Sequence, residues 1–99
     1  MDAREKEENL LVKCMQVGLL QPTKVDEIDA NIFLVASKLI INSFPVESAR
    51  LKDVGINYLS GTGTVPMKCE ELIRSRFITS LPRFKQMLED KFRKNHYVV

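Results

Sequence analysis

Residues 28–41 read Ile-Asp-Ala-Asn-Ile-Phe-Leu-Val-Ala-Ser-Lys-Leu-Ile-Ile. Ten of these fourteen residues are apolar. The four polar ones, Asp29, Asn31, Ser37 and Lys38, do not gather on one side of a helix that turns about 100° per residue. A helix that is apolar nearly all round wants burial nearly all round. In a chain of 99 residues it is either the central helix of a bundle or a helix whose spare apolar face a partner covers. The longest unbroken apolar run is residues 32–36, far short of the roughly 18 needed to cross a membrane.

The flanks of this run predict a helix over residues 24–41. Thr23 reads as its N-cap, with Asp26 three residues on and Glu27 beside it, close to a capping box. The stripe Val25, Ile28, Ile32, Val35/Ala36 and Leu39 faces inward, and Asn42, Ser43 and Pro45 end the helix. Before it, residues 3–17 open with a charged turn and then place Leu10, Leu11, Cys14 and Met15 on one stripe, with Gly18 as a left-handed stop.

After it, residues 46–59 have helical spacing at Leu51, Val54 and Tyr58, but Gly55 interrupts them. They read as a kinked helix or as a short helix with an extended piece. Residues 60–66 are the one flexible loop. A fourth helix is expected over residues 67–77, with Cys69, Leu72, Ile73 and Phe77 facing inward. Ser80 caps a fifth, in which Leu81, Phe84, Leu88 and Phe92 form the clearest amphipathic stripe, flanked by Met87. Residues 95–99 read as a tail that frays or adds a short strand. The expected fold is all-α: one domain over residues 1–99, a compact bundle of about five helices around a central helix at roughly 24–41.

Composition narrows the function classes. Hydrophobic residues at 44% build a core, and charged residues at 28% suit a globular protein. The net charge of +2 does not by itself imply nucleic acid. Cys14 and Cys69 read as reduced thiols of an intracellular protein, cytoplasmic or nuclear, because the charged first nine residues lack a signal-peptide core. One histidine, His96, and two distant cysteines do not make a metal site. Both cysteines fall on apolar stripes, where a thiol stays protonated and inert. The carboxylate pairs Glu7/Glu8, Asp26/Glu27, Glu70/Glu71 and Glu89/Asp90 are sequence neighbours and read as solvated helix surface. Gly61-Thr62-Gly63-Thr64 lacks the Lys-Ser/Thr of a phosphate loop. No catalytic, cofactor or metal residues are expected.

Charge is uneven along the chain. Residues 1–30 carry four basic and seven acidic side chains, whereas residues 67–99 carry eight basic and four acidic. Arg74, Arg76, Arg83, Lys85, Lys91, Arg93 and Lys94 are candidates for a basic face that meets phosphates, although Glu70, Glu71, Glu89 and Asp90 interleave with the basic residues. The order Tyr58, glycine-containing turn, Pro66, Lys68, Phe77, Ser80-Leu81, Phe84 and Tyr97-Val98-Val99 resembles small winged-helix modules of the LOTUS type. That resemblance implies RNA or helicase-partner binding. It covers under half the chain, and the Pro66-to-Phe77 spacing is longer than the pattern.

The leading expectation is therefore a non-catalytic protein–protein interaction domain, an adaptor or a homodimer, using an apolar groove or patch. Nucleic-acid binding through the basic C-terminal helices, helical or winged-helix-like, is the alternative. The partner-contact candidates are Phe33, Leu34, Ile40 and Ile41, which lie off the main core stripe of the apolar helix.

Overall fold

A computed structural model of the chain describes residues 3–20, 23–74 and 78–96. It contains five helices: α1 (Ala3–Gly18), α2 (Glu27–Ile40), α3 (Pro45–Thr62), α4 (Cys69–Arg74) and α5 (Leu81–His96). Among the described residues there is no strand, and the all-α bundle is as the sequence indicates. No helix among them is long and apolar enough to cross a membrane.

The centre of the bundle is the pair α2 and α3, with α1 packed mainly on α3 and α5 on α2. Nine residues of α2 are buried: Asp29, Ala30, Asn31, Ile32, Phe33, Val35, Ala36, Ser37 and Ile40. The helix begins later than the sequence suggested. Asp26, not Thr23, is the N-cap: its backbone is extended and its carboxylate accepts the Asp29 N–H at 2.8 Å. Residues 23–26 are non-helical. The pattern Asp26-Glu27-Ile28-Asp29 places an N-cap acceptor three residues before an N–H that needs one, as a capping side chain requires.

The third helix is longer and more regular than expected. Pro45 starts it, where its fixed φ suits a first turn. It ends at Gly63, whose φ of 75° is left-handed and whose N–H donates to the Leu59 carbonyl. Gly55 does not break it. A Cβ at Gly55 would lie 2.7 Å from the Ala30 carbonyl oxygen and 2.9 Å from Leu34 Cδ2. The missing side chain is what lets α3 lie close against α2. Polar groups sealed in the same seam satisfy one another: the Ser37 and Ser48 hydroxyls are 3.0 Å apart, and Ser48 donates to the Ser37 carbonyl at 2.8 Å.

The outer helices close the core. Leu10, Leu11, Cys14 and Val17 of α1 are buried, as are Phe84, Leu88 and Phe92 of α5. Each such side chain contributes about 1.5–3 kcal/mol of burial. Gly18 is inside α1 and not a left-handed stop; it packs against the Phe92 ring, where a Cβ would come within 2.7 Å of Cε1. The left-handed residue is Leu20, at φ 69°. Phe92 also meets Phe44 at a 5.5 Å ring-centroid distance. The fourth helix is shorter than expected, with Leu72 buried but Ile73 exposed and Cys69 half-buried. Phe77 and the closing residues 97–99 lie outside the described residues.

One carboxylate of the sequence-neighbour pairs, Glu7, departs from the expectation of solvated surface, and Asp29 and Glu47 are buried as well. Glu7 is 1% exposed and accepts the Thr79 hydroxyl at 3.1 Å. Asp29 is buried and accepts from Lys13 Nζ at 2.6 Å, tying α1 to α2. The Lys13 pKa rises above its ordinary 10.5, chiefly through this hydrogen bond, with the Asp29 and Asp26 charges adding and burial opposing.

Candidate binding groove

Of the four apolar contacts expected on α2, two are corrected. Phe33 and Ile40 are 0% exposed and belong to the core cluster, in a helix that contacts α3, α5 and α1. They are core. Leu34 is half-buried and Ile41 is 56% exposed. These two remain accessible and share a face: Leu34, Ser37, Lys38 and Ile41 follow the i, i+3, i+4, i+7 spacing of one helical stripe.

That stripe forms one wall of a groove of about 460 Å³. Lys52 and Ile56, one turn apart on α3, form the opposite wall, and Pro66, Met67, Lys68 and Cys69 close the end at the start of α4. Ile56 is 41% exposed. The lining is mainly apolar, and its charged groups among the described residues are all lysines, Lys38, Lys52 and Lys68, contributed by three separate segments. All three are exposed, and none makes an ion pair among the described residues.

Asn31 sets the position of the end wall. It is buried on α2; its amide donates to the Glu27 carbonyl at 2.9 Å and its oxygen accepts the Met67 N–H at 2.5 Å. Together with the packing of Met67 and Cys69 against the core, this bond fastens the loop across the bundle at the edge of the groove. Lys52 and Ile56 were missed in the sequence because residues 46–66 looked irregular, and Met67, Lys68 and Cys69 because they were assigned to the inner part of a helix that starts only at Cys69. The detectable signal was the repeated apolar–lysine spacing, Leu34/Lys38 and Lys52/Ile56 at i, i+4.

The two thiols differ. Cys14 is fully buried, and burial, reinforced by the Asp29 charge, pushes its pKa well above the ordinary thiol range. Cys69 is half-buried at the groove edge, and both are free cysteines. Among the described residues no cluster of three or more His, Cys, Asp or Glu is placed to hold a metal ion.

The basic residues are placed differently from a single phosphate track. Arg74, Arg83, Lys85, Lys91, Arg93 and Lys94 are exposed; Arg76 lies outside the described residues. On α5, Arg83, Lys91 and Lys94 fall towards one side, while Lys85 and Arg93 fall on others, at about 100° per residue. Asp90 sits among them, 3.4 Å from Arg93 and accepting from Gln86. A winged-helix module also needs strands for its wing, and the described residues have none. No family model, curated protein or solved structure matches the chain.

Proposed function

We propose that this chain is a non-catalytic protein-interaction domain and that its docking site is the groove between α2, α3 and the start of α4. One observation carries the reading: Leu34, Ile41, Ile56 and Met67 converge on one open apolar trough at the edge of the core. Apolar residues scattered singly over a surface need no partner, but several lining one concave site mark an interaction surface. The trough is supported by rigid parts, two long helices in close contact and a loop fastened by Asn31. A site held that way loses little freedom when it binds.

The test is selection of helical peptides from a displayed library against the wild-type domain, with the Ile41→Asp/Ile56→Asp variant as the counter-target. Both residues are substantially exposed, so the variant keeps its helical circular dichroism. The expected result is enrichment of peptides that bind wild type and not the variant. Enriched peptides that bind both equally, or no enrichment over an unrelated helical domain, would overturn the reading.

A further inference from the structure

We infer that the partner segment is an acidic amphipathic helix: apolar anchors on one face, carboxylates along its edges. This rests on the groove being a docking site and goes on to specify what docks.

The shape of the occupant follows from what the groove offers. Protein segments are captured in a few recurring ways. Addition of a strand needs an exposed sheet edge, and the described residues contain no strand. Capture of a proline-rich segment uses an aromatic-lined slot, and no aromatic residue among the described residues lines this groove. Phosphorylated motifs are held by arginine clusters, and no arginine among the described residues lines it. What remains is a trough between two helices with apolar walls, which accepts the i, i+3/i+4, i+7 face of a third helix.

The charge of the occupant follows from the rim. Lys38 on α2, Lys52 on α3 and Lys68 before α4 line the groove from three segments, and no carboxylate among the described residues lines it. A bare apolar helix would leave these cations unanswered, and a basic helix would meet three like charges. Carboxylates flanking the apolar anchors meet them instead. Rim charges of this kind choose among partners and speed encounter more than they add affinity. Their effect weakens with added salt.

The experiment compares three synthetic helical peptides by fluorescence anisotropy. All carry leucines at i, i+3, i+4 and i+7; the remaining edge positions are Glu in the first, Gln in the second and Lys in the third. The Glu peptide is expected to bind wild type on the order of 10–100-fold more tightly than the Lys peptide, with Gln between. In Lys38→Glu/Lys52→Glu/Lys68→Glu the order inverts. In the milder Lys38→Gln/Lys52→Gln/Lys68→Gln variant the Glu and Gln peptides become equal. If all three peptides bind wild type alike and Ile41→Asp/Ile56→Asp loses all of them, the groove stands as a docking site and the acidic inference fails. If no peptide binds, or all bind the Ile41→Asp/Ile56→Asp variant unchanged, both fail. A further arm uses vesicles of phosphatidylserine and phosphatidylcholine. Vesicle binding that depends on the same lysines, without binding of the Glu peptide, replaces the acidic helix by an anionic lipid surface and overturns the inference. Concentration-dependent dimerisation that needs Ile41 and excludes the Glu peptide replaces it by a second copy of the chain.

Discussion

Gly55 and Gly61 stand in the same helix and should respond oppositely to the same substitution. At Gly55 an added Cβ meets the Ala30 backbone oxygen at 2.7 Å, and a backbone atom in a packed seam cannot withdraw. Gly55→Ala should cost about 1–3 kcal/mol despite the better helix propensity of alanine. At Gly61 nothing lies within 4 Å, and Gly61→Ala should stabilise by about 0.5–1 kcal/mol. Urea unfolding of the two variants beside wild type measures both. The sequence showed that residue 55 was a glycine in a helical pattern. It did not show what faced it, so the residue read as a weak point in the helix and not as a point of close approach. Lys13 offers a second single-residue test. Its folded-state pKa is raised, so its contribution is fully present below about 10.5 and is lost as pH rises through the folded value. Because the side chain is 37% exposed, the contribution is at most about 1 kcal/mol. Between pH 9 and about pH 12, wild type should lose more stability than Lys13→Met, and equal losses would remove the role given to the pair. The same neutralising variant leaves the buried Asp29 carboxylate without its cation, so its stability at neutral pH should fall as well.

At the scale of elements, the helices with strong periodicity were legible and the connections were not. The stripe Phe84, Leu88 and Phe92 is buried as its spacing required, and the apolar run of α2 is the most enclosed helix of the bundle. Its start was misplaced because Thr23 and Asp26 are both good caps, and propensity alone does not choose between them. The segment before α4 was least legible, since it is held by contacts with distant parts of the chain, the Asn31 hydrogen bond and the packing of Met67 on the core. Asn31→Ala should therefore act locally. The Met67 amide loses its acceptor, amide exchange at Met67 and its neighbours speeds up, and global stability falls by about 1–2 kcal/mol. Hydrogen exchange followed by mass spectrometry or NMR checks this. Unchanged protection at Met67 would mean that the loop is held by something other than Asn31.

At the scale of the molecule, the same apolar helix serves the core and the groove. Its Phe33 and Ile40 are enclosed in the core, while Leu34 and Ile41 line an open groove beside lysines. The excess of apolar residues was visible in the sequence. Which of them the chain covers itself was not, because that depends on how the other helices are arranged around α2. The two cysteines report on this arrangement from inside and outside. In the native domain iodoacetamide should modify Cys69 and leave Cys14 untouched until the chain unfolds. That difference gives a direct measurement of where a partner sits: the rate of Cys69 alkylation with and without the acidic amphipathic peptide. The account predicts that the peptide slows Cys69 alkylation in the wild type, leaves the rate unchanged in Ile41→Asp/Ile56→Asp, and never exposes Cys14. A peptide that binds tightly while Cys69 reacts at its free rate would place the docking site elsewhere and contradict the account.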